Sequence, residues 1–140
     1  GDPETEAVMT RIESDLLSHL VAAAKGDLSG EKIEISKDGA LTVVCVSGGY
    51  PEEYKKGLEM GGSEYLYSNT PCSKIKVFHA GTAMKDGKLV TSGGRVLAIT
   101  VNGEGIEKQR ETIYAEIAKI EYEGKYCRRD IGLDLLNYKG

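Results

Sequence analysis

The sequence lacks the features that mark membrane and nucleic-acid-binding proteins. Its longest apolar run, residues 41–46 with a threonine inside it, is far short of the roughly 20 residues that span a bilayer. Acidic side chains outnumber basic ones by 22 to 18, for a net charge of −4, which disfavours a general electrostatic grip on nucleic acid. We therefore expect neither a membrane nor a nucleic acid as a partner, although local basic clusters could bind small anions.

Cysteine is also sparse. The three cysteines, Cys45, Cys72 and Cys127, are an odd number without Cys-x-x-Cys spacing, and Cys45 lies in an apolar run, where cysteine behaves as a small hydrophobe. We expect reduced thiols and a cytoplasmic setting. There is no metal-ligand spacing, no Gly-x-Ser-x-Gly elbow and no Gly-x-x-x-x-Gly-Lys phosphate loop. The residues alone therefore predict no metal site and no complete active site.

What is present fits one folded domain. The chain has 140 residues, of which 40% are apolar and 29% charged, as in soluble globular proteins with a packed core. It begins at Gly1 without an initiator methionine or an apolar signal segment, and we expect it to be part of a longer protein. Its 18 glycines predict many turns, or places where the backbone approaches a ligand closely.

The first 25 residues predict a single helix. Pro3 suits a first helical position, Asp2 could cap the free amides, and Glu4 would meet the positive end of the helix dipole. Apolar residues then recur at positions 8, 12, 16, 20 and 24, which predicts a stripe packed on a core. Lys25 and Gly26 predict the end of the helix, because glycine permits a left-handed cap.

The rest of the chain has mostly short β-type runs. Strands are predicted over residues 32–36, 40–47, 74–79, 83–85, 88–90 and 95–101. Asp86-Gly87 predicts a tight hairpin turn, and residues 48–71 a long functional or excursion loop. A second helix is predicted over 104–121, then a short strand near 126 and a tail. The order predicts an α+β fold, a small, mainly antiparallel sheet with helices packed on one face.

Two glycine-rich segments at strand ends could bind an anion. In Ser92-Gly93-Gly94-Arg95, the glycine amides could point at one group of oxygens while the guanidinium forks onto a phosphate; the alternative is a tight turn with a solvated arginine. In the second segment a histidine, a glycine and a hydroxyl could hold a substrate hydroxyl or phosphate, and the alternative is a structural histidine. Its candidate residues are His79, Gly81 and Thr82.

A third segment begins the long loop. It could close over a ligand, with a tyrosine packing on a ring and nearby lysines attracting anions, or it could be a surface loop. Its candidate residues are Gly48, Gly49, Tyr50 and Pro51.

Charged residues near the two ends of the chain are weaker candidates. Arg128-Arg129-Asp130 could form an anion site or an internal salt bridge, and we favour the salt bridge. Asp2 and Glu4 could be catalytic carboxylates, but helix capping and the helix dipole already explain both. His19 lies away from every candidate loop, and we interpret it as structural.

Taken in order, five motifs resemble the carboxy-terminal part of the glycinamide ribonucleotide synthetase (phosphoribosylamine–glycine ligase) family of the ATP-grasp superfamily. They are Gly-Asp-Pro-Glu-Thr-Glu, Ser-Gly-Gly-Tyr-Pro, Val-Phe-His-Ala-Gly-Thr-Ala, Val-Thr-Ser-Gly-Gly-Arg-Val-Leu-Ala and Tyr-Cys-Arg-Arg-Asp-Ile-Gly. The resemblance implies a ligase of de novo purine biosynthesis that joins glycine to 5-phosphoribosylamine while ATP is hydrolysed to ADP and phosphate. ATP and Mg²⁺ would bind the full-length enzyme and not this fragment, which we expect to be inactive alone.

The resemblance also assigns roles to residues. Gly93, Gly94 and Arg95 would bind the ribose phosphate, and the segments 79–82 and 48–51 would line the phosphoribosylamine side of the cleft. Asp2 and Glu4 would support the metal site or orient glycine. Residues 1–26 would be a helix from the end of the ATP-grasp domain and residues 27–140 the C-terminal domain, with the missing upstream domains as partner. The main departure from the family is the stretch 58–74. The alternative function is a stand-alone anion- or nucleotide-binding module without catalysis.

Overall fold

The computed structural model describes residues 3–67, 73–136 and 138. Over these residues the helices and strands are, in chain order, α1 (Glu4–Met9), α2 (Leu16–Lys25), β1 (Gly39–Val46), β2 (Ile75–His79), β3 (Thr82–Lys85), β4 (Lys88–Thr91), β5 (Arg95–Gly103), α3 (Ile106–Lys119), β6 (Tyr126–Cys127) and α4 (Leu133–Leu136). The predicted α+β class is confirmed.

The N-terminal segment forms two short helices, so the prediction of one continuous helix was wrong. The hydroxyl of Thr10 donates to the carbonyl of Ala7 at 3.0 Å, and residues 11–13 then pair with residues 34–36 through backbone hydrogen bonds. This pairing draws the chain out of the helix after Met9. A new helix starts where the carboxylate of Asp15 accepts from the amide of Leu17 at 3.0 Å, an N-cap.

The apolar side of α2 faces solvent, which contradicts the prediction that it packs on a core. Leu17, Leu20 and Val21 are 67%, 58% and 44% exposed. The break before α2 turns this helix away from the sheet and leaves its apolar side open. Its end is as predicted, since Gly26 adopts the left-handed cap with φ 77°.

The segment 32–36 does not join the sheet as predicted. Because residues 34–36 pair with 11–13, the strand is reduced to an isolated bridge between Ile12 and Ile35.

The main sheet has the strand order β2-β5-β1-β6, and every neighbouring pair is antiparallel. Along β1, Leu41, Val43 and Cys45 are buried, whereas the alternating Thr42, Val44 and Val46 are only partly buried. This alternation is that of a strand with one face on the core. The second face therefore carries the half-buried residues.

The helix α3 covers the core face of the sheet, packing on β1 and β5. Its residues Ile113 and Ile117 are fully buried, and each such side chain contributes about 1.5–3 kcal/mol. The long loop adds Met60 and Leu66, also buried in this core, with Leu66 at the end of a 3₁₀ turn, Glu64–Leu66. The long loop, residues 48–71, thus contributes side chains to the hydrophobic core.

The strands β3 and β4 form the predicted hairpin. Asp86 and Gly87 have φ 50° and 76°, the positive values that this tight turn requires. The loop lies along β4, where the amide of Met60 donates to the carbonyl of Leu89 at 2.9 Å and that of Gly57 to Thr91 at 2.6 Å. The hairpin is thereby held beside the main sheet.

The predicted second helix and final short strand are confirmed as α3 and β6, whereas the tail contains α4, which the sequence did not indicate. Among the residues that the structure describes, no helix is long and apolar enough to cross a membrane.

Candidate functional site

The segments 79–82 and 92–95 meet through two facing glycines. The carbonyl of Gly81 accepts from the amides of Ser92 at 2.8 Å and Gly93 at 3.2 Å. A Cβ added to Gly81 would lie 2.8 Å from the Cα of Gly93 and closer still to the carbonyl oxygen of Arg95. Only glycine permits this approach. The Gly93 amide is already bonded within this pair of loops, so it is not one of the anion-binding donors that the sequence suggested.

The third segment joins the same cluster through Ser47. Its hydroxyl donates to the carbonyl of Gly93 at 2.9 Å, and its amide donates to the carbonyl of Gly94 at 2.8 Å. The ring of Tyr50 lies directly against Gly94, where it would overlap any Cβ. Three segments that are distant in sequence therefore lie together.

A cavity of about 280 Å³ opens beside this cluster. It lies on the sheet face opposite the main core, because its lining includes the alternating, partly buried residues of β1. The lining is mostly apolar and carries two arginines. It comprises Pro3, Thr42, Val43, Val44, Val46, Tyr50, Arg95, Tyr126, Cys127, Arg128 and Ile131.

Arg95 begins β5 opposite Val46, at a register shift between Cys45 and Val46 of β1. Its side chain is exposed and lines the cavity. A guanidinium at a cavity edge can fork onto a phosphate or carboxylate.

The acidic candidates lie at the start of α1. Glu4 is exposed in the first turn, next to Pro3 at the cavity. Asp2 falls outside the described residues. Glu4 itself does not line the cavity; it directly follows Pro3, which does.

His79 is bonded locally by both ring nitrogens. Its Nε2 lies 3.1 Å from the carbonyl of Leu66 and its Nδ1 lies 2.9 Å from the hydroxyl of Thr82. A carbonyl only accepts, so in the neutral ring Nε2 carries the proton and Nδ1 accepts from Thr82. His79, Gly81 and Thr82 do not line the cavity; they support the loop beside it.

Arg128 forms the predicted salt bridge. Its Nε donates to Oδ1 of Asp130 at 3.0 Å and its Nη2 to Oδ2 at 2.5 Å. These hydrogen bonds from Arg128 hold the pKa of Asp130 below its usual value. The same arginine also lines the cavity, which the sequence did not indicate because the fold brings β6 beside β1.

Two thiols lie next to each other at this end of β1, and that of Cys127 belongs to a residue lining the cavity; Cys72 falls outside the described residues. Cys45 and Cys127 are free, buried and directly opposite each other on β1 and β6. Burial, with a smaller contribution from Cys127, raises the pKa of Cys45 to about 12. Burial also raises the pKa of Tyr122, whose hydroxyl donates to the carbonyl of Val46 at 3.0 Å. The Cys45 thiol and the Tyr122 hydroxyl therefore stay protonated at neutral pH.

Within residues 3–67, 73–136 and 138, no three His, Cys, Asp or Glu side chains are placed to hold a metal ion. The described donor set therefore does not fit Mg²⁺, and no chemical step is assigned to a metal on these residues. Larger hollows of about 600 Å³ beside Tyr122 and about 460 Å³ beside Gln109 contain none of the predicted site residues. A third, of about 420 Å³, is lined by Gly48, and of the segment 48–51 only Tyr50 lines the cavity beside Arg95.

Comparison with known proteins identifies relatives of this chain. Residues 40–134 match the family described as "Phosphoribosylglycinamide synthetase, C domain". The chain is 44% identical to a chloroplastic phosphoribosylamine–glycine ligase of Arabidopsis thaliana, covering 99% of this chain and 26% of that protein. It is 46% identical to a phosphoribosylamine–glycine ligase of Agrobacterium fabrum, covering 94% and 30%.

A solved structure also resembles this fold. The crystal structure of phosphoribosylamine–glycine ligase from Thermotoga maritima matches with a TM-score of 0.77 and 37% identity, over 94% of this chain and 31% of that one. The chain thus spans only about a quarter to a third of these relatives. With the family match covering most of its length, the chain belongs to the phosphoribosylglycinamide synthetase C-domain family.

Proposed function

We propose that this chain forms the phosphoribosylamine side of the active-site cleft of a phosphoribosylamine–glycine ligase. That enzyme would join glycine to 5-phosphoribosylamine and hydrolyse ATP to ADP and phosphate, in de novo purine biosynthesis. The observation that carries the proposal is the convergence of the three glycine segments beside one cavity that Arg95 lines. The names of the relatives favour this function over a stand-alone anion- or nucleotide-binding module.

In this proposal the chain binds and orients the substrate. The guanidinium of Arg95 holds the ribose phosphate, and the ring of Tyr50 packs on the sugar. Gly93 lets its backbone lie against that of Gly81, and Gly94 leaves room for the ring of Tyr50. Glu4, together with Asp2, supports the metal site or orients glycine in the full-length enzyme.

ATP and Mg²⁺ are proposed to bind outside the described residues of this chain. Those residues provide no cluster of three metal-binding side chains. The chain alone is therefore expected to have no turnover. When it is mixed with ATP, glycine and phosphoribosylamine, no ADP should be released above background, and clear turnover would contradict this division of the enzyme.

We further propose that residues 1–26 belong to the preceding ATP-grasp domain and residues 27–140 to the C-terminal domain. The family match starts only at residue 40, and the apolar side of α2 is open to solvent. Such a side buries itself against a neighbouring domain. Hydrogen exchange at α2 should slow when the chain is joined to an ATP-grasp domain.

The test of the proposed function is Arg95→Ala in the full-length ligase. A charged hydrogen bond is worth about 1.5–3 kcal/mol, so kcat/KM for phosphoribosylamine should fall roughly 10- to 150-fold. The KM for ATP should not change, because ATP binds elsewhere. Arg129→Ala removes the same charge outside the cavity and serves as the control. An unchanged kcat/KM in Arg95→Ala would remove this residue from the substrate site.

A further inference from the structure

Arg95 begins β5 and Arg128 directly follows β6, and both line the same cavity of about 280 Å³. The lining beside them is apolar and includes Val44, Val46 and Ile131. One cation at a cavity edge can pair with a single charge. Two guanidinium groups around an apolar lining suit a ligand with a doubly charged group on a small carbon body, such as a sugar phosphate.

Asp130 occupies only one edge of the Arg128 guanidinium. It accepts one hydrogen bond from Nε at 3.0 Å and one from Nη2 at 2.5 Å. A guanidinium has five N–H donors, so three are not used by Asp130. They lie on Nη1 and Nη2, which together present a second fork of the kind that binds phosphate.

We propose that Arg128 is a second phosphate-binding residue of this cavity and that Asp130 is the positioning residue that orients its guanidinium. The ligand class is a phosphate monoester of a small sugar. This inference rests on the function proposed for Arg95 and adds a residue to the same site.

The neighbouring Arg129 offers a matched control. Its guanidinium lies over the ring of Tyr114, 5.4 Å from the ring centroid, and it does not line the cavity. Arg128 and Arg129 are adjacent and carry the same charge. Replacing each by alanine therefore separates a specific contact from a change in overall charge.

The experiment titrates the 140-residue chain with ribose 5-phosphate, and with ribose as the phosphate-free control, while backbone amide shifts are followed by NMR. The unsubstituted chain should bind the ester and not ribose. Arg128→Ala should weaken binding of the ester about tenfold, because charge-assisted hydrogen bonds from a partly exposed side chain are lost. Arg129→Ala should change the affinity by less than about twofold.

Two further variants test the geometry. Arg128→Lys keeps the charge but not the fork, so it should recover only part of the lost affinity. Asp130→Asn tests whether the carboxylate orients Arg128 or only neutralises its charge, because the two roles predict opposite changes in affinity for the ester. If Asp130 orients Arg128, binding weakens in this variant; if Asp130 only neutralises Arg128, binding becomes tighter and the positioning role is overturned. Urea unfolding of each variant shows whether stability has changed as well.

The outcomes distinguish this inference from the proposed function. If Arg95→Ala abolishes binding of the ester while Arg128→Ala binds like Arg129→Ala, the role of Arg128 is overturned and the proposed function stands. If the unsubstituted chain does not bind ribose 5-phosphate, the phosphate site itself is refuted, and with it both proposals.

Discussion

Substituting Gly81 by alanine tests the contact on which the site is built. The added Cβ would lie 2.8 Å from the Cα of Gly93 and closer still to the carbonyl oxygen of Arg95, whereas real Cβ atoms essentially never approach another heavy atom within 3.0 Å. Both neighbours are backbone atoms, so no side-chain rotation relieves the overlap. The segments 79–82 and 92–95 must move apart.

The cost follows from the hydrogen bonds that this movement disturbs. The amide of Gly81 donates to Val96 at 3.0 Å, and its carbonyl accepts from Ser92 at 2.8 Å and Gly93 at 3.2 Å. A backbone hydrogen bond contributes about 0.5–1.5 kcal/mol net, and overpacking a tight site costs about 1–3 kcal/mol. The losses overlap, because the same shift causes both. We expect Gly81→Ala to lower the free energy of unfolding by about 2–4 kcal/mol.

Urea unfolding followed by circular dichroism measures this loss, provided that the dependence on urea concentration is unchanged. The control is Gly103→Ala, since a Cβ at Gly103 meets nothing within 4 Å and no positive φ is recorded there. It should be nearly neutral. If Gly81→Ala is as stable as Gly103→Ala, the two segments are not in the close contact described, and the argument for a shared site fails.

Three further predictions concern buried and capping groups. Glu116 is 2% exposed and accepts hydrogen bonds from Ser63 and, at 2.9 Å, from Lys119. Glu116→Ala should lower the free energy of unfolding by about 1–3 kcal/mol, because the buried Ser63 hydroxyl is left unpaired. Glu116→Gln should lower it less, and equal losses for the two variants in urea unfolding would contradict this. Burial raises the pKa of Cys45 from 9.0 to about 12. Its thiol should therefore react with iodoacetamide only after unfolding, as mass spectrometry of labelled peptides would show. The fold should also lose stability as the pH rises from 9.0 towards 12, because the unfolded chain then releases the thiol proton and the folded chain does not. Hydrogen bonds from Ser18 and Leu17 lower the pKa of Asp15 below 3.8. The difference in unfolding free energy between the unsubstituted chain and Asp15→Ala should therefore be present at neutral pH and disappear as the pH falls through the pKa of Asp15 in the folded state. A difference that persists in strong acid would show that the charge of Asp15 does not stabilise the cap.

The sequence determined those elements whose signals are local. Asp86-Gly87 predicted its hairpin because both residues tolerate the positive φ that the turn needs. The apolar run 40–47 predicted the strand β1, and the helical spacing of the isoleucines predicted α3, because both signals lie within a single segment. The five ordered motifs predicted the family by resemblance, although the contacts that require their glycines, Gly81 with Gly93 and Gly94 with Tyr50, form only in the fold.

Only the tertiary structure decided which segments distant in sequence contact each other. The helix break after Met9 depends on pairing with residues 34–36, a contact that no local pattern announces. The spacing of apolar residues in α2 predicted a stripe facing the core, but its burial depends on which elements pack against it, and in the structure this side is exposed. Arg128 reaches the cavity that Arg95 lines because β6, which Arg128 follows, pairs with the edge of β1. Local patterns fix periodicity and turns, whereas a binding cavity is made by long-range pairing, which one sequence does not encode in any single segment.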